Sequence, residues 1–287
     1  MTFRPRRSVL YMPASNQRAL EKARTIDCDA IIFDLEDAVA PDAKPQARQA
    51  ACDAVASGDY GYRELVVRVN GVGTAWHDDD LAAVCAARPA AIAVPKVSSP
   101  EQVRQLVDTF ERLGADPQMN LWAMIETPRA IVDADAICAA SERLNVVVLG
   151  TNDLLNELRA QSVPSRRPLQ YALSAAICAA RANDKVVLDG VFNDVRDIGG
   201  FEQECVDGRV LGFDGKTLIH PGQVGIANRV WAPSADDVAR ARELIDTFDQ
   251  ALAEGRGVVT FHGKMIENLH VETARRVLAM HEAIRAR

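Results

Sequence analysis

The feature that most constrains the fold is a series of eight short apolar runs, each separated from the next by text that predicts a helix. A strand with one solvent-exposed face alternates apolar and polar residues, whereas a parallel strand covered on both faces is almost continuously apolar. These runs therefore predict a buried parallel sheet. They are Ser8–Pro13, Ala30–Asp37, Glu64–Gly71, Ala91–Val97, Asn120–Pro128, Asn145–Asn152, Val186–Phe192 and Lys216–Pro221.

Strong helix signals lie between and after the runs. Residues 99–113 open with Ser-Pro, and residues 234–254 open with a serine N-cap, and both carry an apolar stripe at helical spacing. Eight alternating units predict an α/β fold, a (β/α)8 TIM barrel, over residues 1–254. A doubly wound sheet is the alternative, although no glycine-rich fingerprint follows the first run.

Residues 255–287 follow the eight predicted strand–helix units and are not needed to close the barrel. They begin with a short glycine-bearing segment and end with a helix expected over residues 271–286. We interpret them as a C-terminal extension that caps an active site, either on this chain or on a neighbouring subunit.

Composition excludes several classes of protein. Acidic residues outnumber basic residues by 40 to 33 in the 287-residue chain, whereas a duplex-binding protein usually has a basic surface. No apolar run approaches the roughly 18 residues of a membrane span. Six scattered cysteines without a CxxC motif favour a reducing, cytoplasmic compartment. We expect neither nucleic acid nor membrane as a partner.

Polar residues gather where the predicted strands end, which in a TIM barrel is the active face. Converging carboxylates repel one another unless a cation or protons neutralise them. A hard divalent cation with oxygen ligands, Mg²⁺, is therefore the expected cofactor. The polar residues at these ends are Asp34, Glu36, Asp37, Arg68, Asn70, Lys96, Glu126, Asn152, Asp153, Asp189 and His220.

Glu126 and Asp153 are the predicted direct metal ligands, because they follow neighbouring strands at corresponding heights. The acids after the second run are expected to hold metal-bound water or to orient their neighbours. Arg68 lies between apolar residues, and we interpret it as binding a substrate carboxylate or an enolate oxygen. The alternative for Arg68 is an internal ion pair with Glu36 or Asp37. For each acid, the alternative is helix capping or pairing with a nearby cation.

Other catalytic motifs are weaker. An alternative role for Lys96 is the Schiff base of a metal-free aldolase, but the carboxylate-rich mouth favours a metal. Gly215-Lys216-Thr217 does not complete a P-loop, because position 210 is valine. The histidines show no zinc spacing, and the sequence has no GxSxG motif.

Motifs along essentially the whole chain, in order, carry a family resemblance. They are RSVLYMPASNQRALEKA, AIIFDLEDAVAPDAK, VVRVNG, AVPKVSSPEQV, MIETPRAI, LGTNDL and GFDGKTLIHPGQV. As a set they resemble the citrate lyase β-subunit-like proteins, which include malyl-CoA and citramalyl-CoA lyases of the HpcH/HpaI aldolase group in the pyruvate/phosphoenolpyruvate barrel superfamily. The resemblance implies a Mg²⁺-dependent (β/α)8 barrel that cleaves or forms a carbon–carbon bond beside a thioester.

The resemblance also implies roles for individual residues. Glu126 and Asp153 match the metal ligands of the family, and Tyr11 and Lys22 match contacts to CoA. We therefore expect catalytic roles for Arg68, Asp37 and Glu267, and substrate or CoA contacts from Tyr11, Lys22, Arg68, Glu126, Asn152, Ile219 and His220.

The tail departs from the family pattern. Many members carry GKMID or GSMID, and their Asp acts as an acid/base delivered from the adjacent subunit. Here the text is Gly263-Lys264-Met265-Ile266-Glu267, which keeps the carboxylate but extends it by one methylene. A change in reach of roughly 1 Å is enough to alter rate or substrate choice. The implied assembly is a homotrimer or hexamer.

The expected reaction is cleavage of a 3-hydroxyacyl-CoA of the malyl-CoA or citramalyl-CoA type. The products would be a 2-oxo acid, glyoxylate or pyruvate, and acetyl-CoA or another acyl-CoA, formed through a thioester enolate. One alternative is hydrolysis of the malyl-CoA thioester. Another is a citrate lyase β-type subunit that acts on an acyl-carrier-protein thioester within a complex.

Overall fold

A computed structural model describes residues 4–254 and 258–287, which form two compact units. The first unit is Arg6–Val230, and the second comprises residues 4–5, 231–254 and 258–287. The division falls at Trp231, whereas the predicted barrel domain continues to residue 254. The helix that follows Ser234 thus groups with the C-terminal extension.

The first unit contains a closed barrel of eight parallel strands that pair in chain order, with the last strand beside the first. A doubly wound sheet would have two open edges, so the prediction of a TIM barrel is confirmed. The strands are β1 (Ser8–Pro13), β2 (Ala30–Asp34), β3 (Glu64–Arg68), β4 (Ala91–Val94), β5 (Asn120–Ile125), β6 (Leu144–Leu149), β7 (Val186–Asp189) and β8 (Gly215–Leu218).

Helices connect the strands and surround them. Ser99 caps the helix after β4 by accepting a hydrogen bond from the backbone of Gln102, as its Ser-Pro start predicts. In this unit the helices are α1 (Gln17–Ala23), α2 (Lys44–Ser57), α3 (His77–Ala87), α4 (Pro100–Arg112), α5 (Pro128–Val132), α6 (Ala134–Ala139), α7 (Thr151–Glu157), α8 (Gln170–Ala182), α9 (Ile198–Leu211) and α10 (Val224–Trp231), the last of which ends at the boundary.

The barrel interior is a packed apolar core. Branched and aromatic side chains from alternate strand positions meet there, and they include Val9, Ile32, Val66, Trp122 and Val148. Burial of each such side chain stabilises the fold by about 1.5–3 kcal/mol. The core occupies the middle of the barrel, so the polar residues that follow the strands are left at its mouth.

Strand register determines which of these polar residues become neighbours. Asp34 at the end of β2 pairs with Arg68 at the end of β3. Ile125 at the end of β5 pairs with Leu149 at the end of β6, so Glu126 and Gly150 emerge side by side. Register alone therefore brings an acid next to Arg68 and a second acid next to a glycine.

The second unit is a helical hairpin with a small two-stranded sheet. It contains α11 (Ala235–Ala253), β9 (Val259–Phe261), β10 (Lys264–Ile266) and α12 (Asn268–Arg285). His262 and Gly263 both have positive φ, which suits the two-residue turn between the strands. Its core is formed by Phe248, Ala251, Val259, Phe261, Ile266 and Val271. Among the described helices, none has the length and apolar character to cross a bilayer.

Candidate active site

A cavity of about 360 Å³ opens at the C-terminal ends of the strands. This position agrees with the general location of active sites in TIM barrels. Eight residues predicted for the active face line the cavity, namely Tyr11, Asp34, Asp37, Arg68, Glu126, Asn152, Asp153 and Ile219. The rest of the lining is Pro13, Ala38, Met124, Leu149, Gly150, Thr151, Val191, Asn193 and Thr217.

Arg68 is the centre of an ion-pair network at the end of β3. Its Nε and Nη2 donate to the two oxygens of Asp34 at 2.7 and 2.6 Å. Its Nη1 lies 2.9 Å from Glu36 and 3.2 Å from Asp37. The predicted alternative, an internal ion pair with Glu36 or Asp37, is present, and Asp34 is an additional partner that binds the guanidinium fork.

This geometry limits what Arg68 offers to a ligand. Asp34 occupies the two parallel N–H groups, so bidentate capture of a substrate carboxylate is not available in this conformation. Within residues 4–254 and 258–287, the second N–H of Nη2 has no acceptor, so it remains for a single hydrogen bond. Asp34, Glu36 and Asp37 thus all contact Arg68, and the roles predicted for these acids in catalysis stay predictions.

Tyr11 and Glu36 flank the guanidinium of Arg68. The Arg68 Cζ lies 4.8 Å from the centre of the Tyr11 ring, a cation–π distance. Burial raises the pKa of Tyr11, although the Arg68 charge acts in the opposite direction, so the phenol stays neutral and able to donate. Burial likewise raises the pKa of Glu36 to about 8, and the Arg68 charge opposes this shift.

Glu126 is buried directly after β5, with only 4% of its surface exposed. Its Oε1 accepts a hydrogen bond of 2.8 Å from the backbone N–H of Lys96. Gly150 makes room for the carboxylate, because a Cβ at that position would collide with Oε2. Burial raises the pKa of Glu126 to about 7, while the Lys96 N–H lowers it. A cation at this carboxylate would stabilise its charged form.

Asp153 lies in the first turn of α7, where a helix N-terminus favours negative charge. Its Oδ2 is 3.1 Å from the Nζ of Lys96. The side chains of Asp153 and Lys96 are both about half exposed, at 45% and 55%. Asp153 and Glu126 thus line one cavity and share Lys96 as a neighbour.

The donor chemistry of the cavity fits a hard divalent cation. The cavity lining contributes four carboxylates, from Asp34, Asp37, Glu126 and Asp153, against the single cation of Arg68, which is a formal excess of three negative charges when every group is ionised. Within the described ranges, no group of three or more His, Cys, Asp or Glu side chains forms a complete metal site. Mg²⁺ commonly takes only one or two carboxylates, with water and substrate oxygens as its other ligands.

Asn193 is a site residue that sequence reasoning missed. Its amide exchanges two hydrogen bonds with the amide of Asn152, at 2.7 and 3.2 Å. Both residues also line a neighbouring cavity of about 360 Å³ between residues 151 and 204. The available signal was a polar residue four positions after the end of β7.

Of the residues predicted to contact substrate or CoA, Ile219 lines the cavity, whereas His220 and Lys22 do not line it. Ile219 is 41% exposed. His220 caps the short turn after β8, where its Nδ1 accepts a hydrogen bond of 3.1 Å from the N–H of Gly222. Lys22 is an exposed residue in the last turn of α1. Their predicted contacts with substrate or CoA stay predictions.

Glu267 belongs to the second unit, immediately before α12. It is exposed, and its backbone N–H donates to the Nδ1 of His270 at 3.0 Å. The carboxylate of Glu267 is thus at the surface of its own unit. A role as an acid/base requires an accessible carboxylate, and this role stays a prediction.

Asp189 does not share the predicted position at the cavity. It is completely buried at the end of β7, where it pairs with Lys216 at 2.9 Å and with Arg166 at 2.7 Å. Glu204 also contacts Lys216, at 2.7 Å. The expectation that all the strand-end acids converge on one mouth is therefore wrong for Asp189. The cations Lys216 and Arg166 neutralise Asp189 and Glu204 in a separate cluster.

Comparison with known proteins defines the class. Residues 7–221 match the family described as HpcH/HpaI aldolase/citrate lyase. The chain belongs to this family of enzymes, which confirms the resemblance drawn from the motifs.

Individual relatives refine the comparison. The chain is 47% identical to a (3S)-malyl-CoA thioesterase of Cereibacter sphaeroides over 282 residues, covering 98% of this chain and 96% of the relative. It is 34% identical to the citrate lyase subunit beta of Escherichia coli, covering 97% and 94% of the two chains. A crystal structure of the protein CitE from Mycobacterium tuberculosis, in complex with magnesium, acetoacetate and coenzyme A, superimposes with a TM-score of 0.77 at 30% identity, covering 96% of this chain and 97% of that one.

Proposed function

We propose that this chain is a Mg²⁺-dependent enzyme that hydrolyses the thioester of a malyl-CoA-type 3-hydroxyacyl-CoA. The observation that carries the proposal is the placement of Glu126 and Asp153 on one cavity that has an excess of negative charge. The magnesium and coenzyme A in the CitE complex support this assignment of the cavity.

The choice of hydrolysis rests on similarity and on the tail. The malyl-CoA thioesterase is 47% identical to this chain, whereas the citrate lyase subunit is 34% identical. Glu267 extends the acid/base of the family pattern by one methylene, and this altered reach is compatible with proton transfer to or from water. We therefore place hydrolysis ahead of carbon–carbon cleavage, although cleavage is the reaction expected from the sequence motifs.

The balanced reaction needs only water as co-reactant. Water oxygen forms a bond to the thioester carbonyl carbon, the carbon–sulfur bond breaks, and the sulfur leaves as CoA thiol after it gains a proton. Bound Mg²⁺ would polarise substrate oxygens and offset developing negative charge.

The protein residues position the reactants. Glu126 and Asp153 would hold the metal, and the free N–H of Arg68 would donate to a substrate oxygen. Tyr11 keeps a neutral hydroxyl near Met124, at 3.9 Å from its sulfur, where it donates rather than ionises. Glu267 is the proposed group that moves a proton to or from the reacting water.

Carbon–carbon cleavage is the second candidate. It would use the same metal ligands, and the citrate lyase relative favours it. Cleavage of malyl-CoA would release glyoxylate and acetyl-CoA, so the thioester would survive. The citramalyl-CoA substrate would release pyruvate in the same way.

One assay separates the two reactions. Purified full-length protein is incubated with (3S)-malyl-CoA or citramalyl-CoA, with Mg²⁺ or with EDTA, and free thiol and 2-oxo acid are measured in parallel. Hydrolysis produces thiol without 2-oxo acid, and cleavage produces 2-oxo acid without thiol. Absence of both products with Mg²⁺ would contradict both candidates and would direct attention to an acyl-carrier-protein thioester.

We also propose that residues 255–287 complete the active site of a neighbouring subunit in a homotrimer or hexamer. Glu126→Gln and Glu267→Gln proteins should each be inactive, and a mixture allowed to exchange subunits should regain part of the activity. A mixture with proven subunit exchange, shown by co-purification of two tags, and no recovery would overturn this arrangement.

A further inference from the structure

Lys96 contacts both proposed metal ligands through two different groups. Its backbone N–H donates to Oε1 of Glu126 at 2.8 Å, and its ammonium lies 3.1 Å from Oδ2 of Asp153. The backbone of Lys96 has a φ of 55°, in the left-handed region that residues with a side chain rarely adopt. Such strain persists where the surroundings over-determine the conformation, and here it accompanies contacts to both acids.

Each carboxylate is consequently engaged through one of its two oxygens. Among the residues that the structure describes, Oε2 of Glu126 and Oδ1 of Asp153 accept no hydrogen bond. Glu126 and Asp153 both line the cavity. We take Oε2 of Glu126 and Oδ1 of Asp153, the two oxygens that Lys96 does not contact, as the ones available to a cation.

We propose that Lys96 makes this site selective for Mg²⁺ over Ca²⁺ by holding one oxygen of each carboxylate. The inference rests on the proposed metal role of Glu126 and Asp153. Mg²⁺ demands near-octahedral coordination and is served by one oxygen from each carboxylate. Ca²⁺ takes six to eight oxygens and readily uses both oxygens of a carboxylate. Lys96 therefore removes ligands that Ca²⁺ would use and that Mg²⁺ does not need.

The positive charge of Lys96 has a separate effect that the experiment must cancel. A nearby ammonium repels every divalent cation, and the repulsion is nearly equal for two ions of equal charge. The ratio of the Mg²⁺ and Ca²⁺ affinities therefore reports the number of available oxygens, whereas each affinity alone also reports the charge.

Isothermal titration of the chelator-stripped full-length protein with Mg²⁺ and with Ca²⁺ tests the proposal. Lys96→Met removes the ammonium and keeps the backbone N–H, so it frees only Oδ2 of Asp153. We expect the Ca²⁺ affinity of this variant to rise about 10-fold more than its Mg²⁺ affinity. Lys96→Gln, whose amide still donates, should retain part of the selectivity.

Arg104→Met is the matched control. Arg104 is a cation on α4 with the same 55% exposure as Lys96, and it pairs with Glu101 rather than with a site residue. Its affinity ratio should equal that of the wild type. If the wild type binds Mg²⁺ and both Lys96 variants keep the wild-type ratio of Mg²⁺ to Ca²⁺ affinity, the proposed role of Lys96 is overturned and the metal site is not. Failure of the wild type to bind either ion would instead overturn the metal site itself.

Discussion

Acids lie at or soon after the C-terminal ends of three consecutive strands, β5, β6 and β7, yet their surroundings differ. Glu126 has one backbone N–H as its hydrogen-bond partner, and Asp153 shares a half-exposed lysine. Asp189 has Arg166 and Lys216 within 3 Å and no exposure. One cluster is short of positive charge, and the other is balanced.

The pKa shifts of the two clusters run in opposite directions. Burial raises the pKa of Glu126 to about 7, and the charges of Arg68 and Lys96 act to lower it without cancelling that effect. Burial also acts to raise the pKa of Asp189, but the charges of Lys216 and Arg166 outweigh it and lower the value. Position at a strand end is therefore not enough to identify a functional acid, and charge balance separates the two kinds of cluster.

The largest expected effect is the loss of activity in Glu126→Gln. The substitution keeps the shape of the side chain but removes the charge that would hold Mg²⁺. We expect a fall in kcat of about 10³-fold, a size typical for loss of a main electrostatic stabiliser. Thermal unfolding should show a stability equal to or above that of the wild type, because a buried, poorly paired carboxylate has been removed. Retained activity would take Glu126 out of the site.

Substitution in the balanced cluster around Asp189 should lower the free energy of unfolding. Lys216→Met leaves the buried Asp189 and the partly buried Glu204 with Arg166 as the remaining cation. Removal of one partner from a buried pair costs about 3–5 kcal/mol. Urea denaturation measures this loss. Arg229→Met is the control, because Arg229 and Glu202 form an exposed pair, at 60% and 46% exposure, which should contribute less than about 1 kcal/mol. Equal losses in the two variants would contradict the comparison.

A smaller effect is expected when Glu126 is displaced rather than replaced. Gly150→Ala places a methyl group where the Glu126 carboxylate lies, so that side chain must move. Misplacement of a positioned group by about 1 Å can cost 10²-fold in rate, which steady-state kinetics would detect. Gly225→Ala meets no atom within 4 Å and should leave the rate unchanged. A fully active Gly150→Ala enzyme would show that the position of Glu126 is not critical.

The smallest expected effect concerns Glu36, whose folded pKa of about 8 lies above its ordinary value of 4.5. The folded state then holds a proton that the unfolded state has released. Stability is therefore greatest below about pH 4.5 and falls as the pH rises through about 8. Glu36→Gln should remove this slope, which is about 1 kcal/mol per pH unit in the window where the two states differ by one proton. Urea denaturation from pH 5 to 9 that gives parallel profiles would contradict the shift.

Much of the fold could be predicted from the sequence because core strands must be apolar on both faces. β1 was predicted with the observed bounds, and the helix after Ser234 was predicted within one residue at each end. The other strand predictions extend about three residues too far. The reason at β2 is specific, because Asp34 accepts hydrogen bonds from the backbone N–H groups of Glu36 and Ala38 and so forms a turn.

The site was less predictable, because pairing between distant residues decides it. The sequence placed Glu126 and Asp153 together through their strand order, and the structure brings both to one cavity. It could not show that Asp34 would occupy the fork of Arg68, since that depends on strand register. Nor could it show that Lys216 neutralises Asp189, because both residues lie in strands whose pairing has to be known first.

The most direct test of the account is the stoichiometry of divalent metal bound by the chelator-stripped full-length chain. Electron paramagnetic resonance with Mn²⁺ as the probe, followed by displacement with Mg²⁺, counts the sites. We predict one site per chain in the wild type and in Arg229→Met, and none in Glu126→Gln. A wild-type protein that binds no Mn²⁺, or a Glu126→Gln protein that binds it as well as the wild type does, would contradict the claim that the underpaired acids at the barrel mouth are a metal site.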